Sequence, residues 1–158
     1  MDVELLEIQD FISQYAPFDE LPEEALAEVV QSVEISYFRA NTTIIDFKDD
    51  ISELYMIRSG IVELFRRNGN LYNRLDQGQL FGQMGLLTNN KVRFPAKTTK
   101  DTLLYCIPAV IFYDLCERFE TFADFVEAED STRLKQAVEN KSDNANALTT
   151  SKVKTLLT

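Results

Sequence analysis

Residues 80–95 read LFGQMGLLTNNKVRFP, and the way this stretch is understood decides how the rest of the chain is read. Phe81-Gly82 opens it, a small apolar turn follows at Met84-Gly85-Leu86-Leu87, and a polar loop at Thr88-Asn89-Asn90 leads to Arg93. A glycine-bearing loop that runs into a helical turn aims several backbone N–H groups at one point, which suits an anion. Arg93 on the far side offers a guanidinium, whose fork meets phosphate oxygens two at a time. Phe-Gly with a nearby Arg is a short signal, so its weight comes from the elements on either side.

Those elements change texture along the chain. Val3, Leu5, Leu6, Ile8, Phe11, Ile12 and Tyr15 fall at helical spacing and Pro17 stops the run. Leu21-Pro22-Glu23-Glu24 starts a second helix, with acids in its first turn where the macrodipole favours them, and Leu26, Val29, Val30 and Val33 supply its buried face. From Val33 onward the pieces are short and β-like. Val33, Ile35 and Tyr37 alternate with Glu34, Ser36 and Phe38; residues 42–47 are β-branched and aromatic; Glu53–Arg58 leads to Ser59-Gly60. Ile61–Phe65 and Leu71–Leu75 flank Asn68-Gly69, a strong hairpin signal. Beyond the opening stretch, 96–99 and 102–107 give two more strands. Many short strands joined by tight turns predict a mainly β fold, a jelly-roll-like β-barrel with N-terminal helices.

Pro108–Ile111 begins a helix, which Phe112, Leu115, Phe119, Phe122 and Phe125-Val126 continue with a break near Phe119-Glu120-Thr121, reaching about Glu139. The phenylalanines read as packing against the barrel, with a lid over a ligand as the sharper alternative. Residues 140–147 are polar and weakly patterned, a linker, and 151–158 regain apolar residues like the entry to a further domain. The expected division is 1–139 as one domain and 140–158 as linker and onset of the next.

All five glycines fall in the β region. Turns account for Gly60, Gly69 and Gly78. Gly82 and Gly85 lie in an apolar segment, where a ligand approaching the backbone competes with the turn explanation.

Composition removes several functions. The 158 residues carry 26 acids against 16 bases, a net charge of −10, and no dense basic block, which argues against nucleic acid as a partner. There is no histidine, so Ser-His-Asp and Cys-His catalysis and the commonest metal ligand are gone. Cys106 and Cys116 form no CxxC pair and read as reduced, packed thiols. The acidic, amphipathic N-terminus is no signal peptide and no apolar run approaches the ~20 residues of a membrane span, so the cytoplasm is the expected compartment.

The order helix, many-stranded barrel, Phe-Gly loop, Arg, then C-terminal helices resembles the cyclic nucleotide-binding domain over roughly residues 10–138. Residues 55–62 (YMIRSGIV) are similar to the family's apolar-x-x-Gly-x-Val segment, and residues 78–87 (GQLFGQMGLL) to its phosphate-binding cassette. The resemblance implies a jelly roll whose C-terminal helices act as a lid. It also implies a ligand site at Phe81, Gly82, Gln83, Met84, Gly85, Val92, Arg93 and Phe94, with cyclic AMP or cyclic GMP as the ligand and no catalytic or metal role.

Three features depart from the family pattern. Gln83 stands where the family usually has the Glu that accepts from the ribose 2′-OH, and it accepts without charge assistance. Counted from Gln83, Arg93 is at a spacing some members use, whereas counted back from the strand at 102–107 the Arg position falls on Val92. Phe94-Pro95 replaces the small residues that usually follow. The N-terminal start, the LLYCIP strand ending and the tail at 153–157 further resemble a bacterial multidomain protein. In that architecture this domain precedes CBS domains and a nucleotidyltransferase region.

Two functional readings follow. One is a non-catalytic regulatory module that binds a cyclic nucleotide or related phosphorylated small molecule and controls a downstream domain. The other is a degenerate module without nucleotide, serving dimerisation through the C-terminal helix or other interaction. A structure with Arg93 turned away from the loop, or with Phe94 filling the pocket, favours the second. Catalysis is not expected: Glu23-Glu24 and Asp49-Asp50 read as a helix start and a turn.

Overall fold

The computed structural model describes residues 3–128. The end of the C-terminal helix, the linker and the 151–158 segment expected from the sequence lie outside the described residues.

Helix α1, Val3–Ile12, buries Ile8, Phe11 and Ile12 and ends before Tyr15, earlier than the apolar spacing suggests. A 3-10 turn at Phe18–Glu20 follows. Helix α2, Glu23–Ser32, starts behind an extended Pro22 at its N-cap and buries Ala25, Leu26, Val29 and Val30. Proline suits such a boundary because its missing N–H would find no intrahelical acceptor there.

Among the described residues eight strands follow: β1 Glu34–Phe38, β2 Thr43–Ile45, β3 Glu53–Ser59, β4 Val62–Phe65, β5 Leu71–Leu75, β6 Leu80–Phe81, β7 Ala96–Thr98 and β8 Thr102–Pro108. They form two antiparallel four-stranded sheets, ordered β1-β8-β3-β6 and β2-β7-β4-β5. The fold is the two-sheet jelly roll with flanking helices that the strand pattern predicts.

The central pair is β3 with β8, in register from Glu53↔Pro108 to Ile57↔Leu104. Leu54, Tyr55, Met56 and Ile57 are all buried, so β3 lacks the in–out alternation of a half-exposed strand. Both of its faces are covered. On one, Tyr105, opposite Met56, meets Phe11 of α1 edge-on at 5.6 Å. On the other, Tyr55 stacks on Phe81 with ring centroids 4.9 Å apart.

Strand β1 shows the opposite case. Its alternation does make a strand, but Ile35 (42% exposed) and Tyr37 (59%) are on the open face, while Phe38 packs against the core. β1 is an edge strand, paired only with β8. The helices covering its neighbours leave the Ile35–Tyr37 face open.

Helix α4, Ala109–Arg118, ends at an extended Phe119, and a further helical run begins at residue 120. This is the break expected near 119–121. Phe112 and Phe122 are buried and meet edge-on at 6.1 Å, and Phe122 meets Phe18 at 5.6 Å. The phenylalanine series therefore packs the C-terminal helices onto the 3-10 turn. Among the described residues no helix is long and apolar enough to cross a membrane.

Both cysteines are free, and burial pushes each thiol up from the usual 9 to about 11. Such a rise lowers the thiolate fraction at pH 8 about a hundredfold, so both thiols should react slowly with a disulfide reagent until the chain is unfolded. A folded chain titrating two fast thiols at pH 8 contradicts this packing. Truncating the aromatic cluster tests its weight: Phe122→Ala should cost about 3–5 kcal/mol in denaturant unfolding. A cost under about 1 kcal/mol, the scale of an exposed position, would mean the helical run from 120 is not docked there.

Candidate ligand cavity at the cassette

β6 leads into the cassette through Gly82, which sits in the left-handed region at φ 95°. Helix α3, Gln83–Leu87, follows directly. A Cβ on Gly82 would come within 2.8 Å of Ile51 Cδ1. A Cβ on Gly85 would come within 2.6 Å of the Lys91 carbonyl oxygen. The close approach that Gly85 serves is thus made by the protein's own backbone, which explains that glycine without a ligand. The Asn90 N–H donates to Gly85 O at 2.8 Å and the Thr88 hydroxyl to Met84 O at 2.8 Å, folding the polar loop back onto α3.

The segment returning from this loop is tied to the turn before β3. Val92 N–H donates to Asp49 O at 2.8 Å, Lys48 N–H to Val92 O at 3.2 Å, and Ile51 N–H to Asn90 O at 3.0 Å. These bonds place residues 92–94 across from the start of α3.

Between them lies a cavity lined by Ile45, Ile51, Leu64 and Tyr72 on one side and by Gly82–Gly85 and Val92–Phe94 on the other. Seven of the eight residues proposed from the sequence line it; Phe81 instead stacks on Tyr55 and is absent from the lining. Tyr72, Leu64, Ile45 and Ile51 carry no marker in the sequence. They are ordinary apolar strand and loop positions, brought there by sheet closure.

Three features set the chemistry. Gln83 is 1% exposed, and among the described residues neither its amide oxygen nor its nitrogen has a hydrogen-bond partner. Buried polar atoms are nearly always satisfied, and leaving one unpaired costs about 1–3 kcal/mol. The N–H groups of Gln83, Met84 and Gly85 precede the first intrahelical bond, which Leu86 N–H makes to Gly82 O at 3.2 Å. Arg93 is exposed at the rim and makes no ion pair or hydrogen bond among the described residues, while neighbouring Val92 is buried at 3%.

The cavity is small. It measures about 30 Å³, a tenth or less of the ~300 Å³ and upward of small-molecule sites. Two of its walls are in contact, the Phe94 ring lying flat on Tyr72 with centroids 3.9 Å apart and planes 3° from parallel. No carboxylate, cysteine or lysine lines the cavity, so it holds hydrogen-bonding groups and one guanidinium but no general acid–base pair. No cluster among the described residues has the ligands to hold a metal ion.

The cyclic nucleotide-binding domain family model matches residues 35–119, from the second residue of β1 through β8 and α4, with the whole cassette inside it. The potassium channel KAT3 of Oryza sativa subsp. japonica is 31% identical over 78 residues, 48% of this chain, which spans 16% of the channel's length. In structure, the catabolite activator protein of Thermus thermophilus superposes with a TM-score of 0.65 at 26% identity, covering 79% of this chain and 61% of that one. The regulatory subunit of a cAMP-independent protein kinase A from Trypanosoma brucei superposes with a TM-score of 0.72 at 14% identity, over 80% of this chain and 45% of that one. With a glycine-led cassette set between two jelly-roll sheets and a family match over more than half its length, the chain belongs to the cyclic nucleotide-binding domain family.

Proposed function

We propose that this chain is a non-catalytic regulatory module whose cassette cavity takes a cyclic nucleotide or a related phosphorylated small molecule. The observation that carries the reading is Gln83. A buried amide with no partner among the described residues, at the mouth of a helix whose first N–H groups are free of intrahelical bonds, is what a polar ligand would satisfy. The phosphate then sits on the Gln83–Gly85 N–H groups and Arg93, and a ligand hydroxyl meets the Gln83 amide. Such a ligand controls a downstream domain only by binding one arrangement of the C-terminal helices better than another.

Entry requires Phe94 to leave Tyr72. The closed stack thus lowers the apparent affinity by the fraction of chains that are open. Downstream CBS and nucleotidyltransferase domains of a bacterial, cytoplasmic parent, with the boundary near residue 139, belong to this proposal.

The second reading, a family member that has given up its nucleotide and serves interaction, is favoured by the same Phe94–Tyr72 stack and the exposed Arg93.

Calorimetric titration with cyclic AMP and cyclic GMP separates the two. Phe94→Ala removes a ring pair worth about 0.5–1.5 kcal/mol and should tighten binding roughly three- to tenfold, while Arg93→Ala should weaken it. If neither the parent chain nor Phe94→Ala gives heat with either nucleotide, the second reading stands. Gln83→Leu makes an independent prediction: stability in denaturant should rise by about 1–2 kcal/mol as ligand binding is lost. A destabilised Gln83→Leu would mean the amide is satisfied and the cavity is not built for a ligand.

A further inference from the structure

We propose that a second ligand site lies beside the inner cavity, sharing Val92 and Arg93 with it, in the cleft between the Phe47-Lys48 turn and residues 88–93. It would take a small phosphate monoester carrying an aromatic ring, such as a nucleoside monophosphate. This cleft of about 610 Å³ is roughly twentyfold larger than the cavity behind Gln83 and falls within the ~300–1,000 Å³ range of small-molecule sites. Phe47, Lys48, Thr88, Asn89, Lys91 and Arg93 line it.

Its walls are firmly built. The Lys48–Val92, Val92–Asp49 and Ile51–Asn90 backbone bonds lace the turn to the return segment, and Lys91 pairs with Asp50 across them. The nearby acids are engaged. Asp46 Oδ1 accepts the Phe47 N–H at 2.7 Å, Asp49 Oδ2 accepts the Asp46 N–H at 3.0 Å, and Asp50 holds Lys91. Lys48 stands at φ 70°, a left-handed conformation that is uncommon for a long side chain and that this bonding holds in place.

The chemistry converges on an anion with a ring. Lys48 and Arg93 have no carboxylate partner among the described residues. The Lys48 ammonium is 5.7 Å and the Arg67 guanidinium 5.1 Å from the centre of the Phe47 ring. A phosphate held at Lys48 leaves an attached ring within reach of Phe47, its neighbour in the lining, which pairs a cation with an aromatic surface. A long polyanion is disfavoured by the net charge of −10. Arg93 also lines the inner cavity, so it cannot separate the two sites and the test avoids it.

The probe is adenosine 5′-monophosphate, titrated into the isotope-labelled 158-residue chain and followed by amide chemical shifts, with adenosine and inorganic phosphate as separate arms. The expected result is a shift of residues 47–49 and 88–93. Binding should weaken about tenfold or more in Phe47→Ala and in Lys48→Gln and when either half of the probe is used alone. Binding in Gln83→Leu should be undiminished, whatever that variant does to the inner cavity. The spectrum of each variant reports its folding, and Phe47→Leu replaces Phe47→Ala if the latter unfolds. The proposal is overturned if the monophosphate moves no signals in the cleft or if Gln83→Leu abolishes its binding while Phe47→Ala does not. It is also overturned if inorganic phosphate binds as tightly as the monophosphate.

Discussion

The β3–β8 pairing is the constraint on which the rest of the molecule depends. With Leu54–Ile57 buried on both faces, this pair has to be covered by the helices on one side and the second sheet on the other. The register that sets Tyr55 opposite Cys106 also sets it opposite Phe81 of β6, and the Tyr55–Phe81 stack fixes where the chain turns at Gly82. The cassette begins at that turn. Its position is thus inherited from the core, and Phe81, the first residue of the Phe-Gly signature, serves the core rather than the cavity.

Beyond Gly82 the structure trades stability for a shaped cavity. Gly85 admits the Lys91 carbonyl, and that contact brings the return segment close enough for Val92, Arg93 and Phe94 to face α3. Gln83 is left buried with neither amide atom partnered among the described residues, a standing cost of about 1–3 kcal/mol per buried polar group. Phe94 stacks on Tyr72 across the cavity wall. A buried polar amide behind an aromatic stack belongs to a pocket that opens to a ligand or to a family member that has lost one. The two differ in whether anything but water ever reaches Gln83.

The fold was largely legible because the signals it needs are local. The hairpin at Asn68-Gly69, the strand at Leu71–Leu75 and the helix break at Phe119 each follow from turn chemistry or apolar spacing over a few residues. Position along the sheet was less legible. Ile35 and Tyr37 alternate as a buried strand would, yet they face outward because β1 is an edge that the helices do not cover. The candidate site was legible only on the cassette side. Tyr72, Leu64, Ile45 and Ile51 line the opposite wall, and their apolar character is shared with every core strand.

By itself, the sequence determined the class of fold, the location of the cassette and the absence of histidine chemistry. These depend on residue type and spacing, which folding does not alter. Only the tertiary structure decided what the cassette residues face. A single-residue step along a strand reverses a side chain's direction, so the burial of Val92 beside the exposed Arg93 waits on how residues 91–95 are pinned to the turn at 48–51. The same pinning explains Gly85 by contact with the Lys91 carbonyl and lays Phe94 on Tyr72. Contacts between residues far apart in sequence set the size of the cavity, and no local pattern records them.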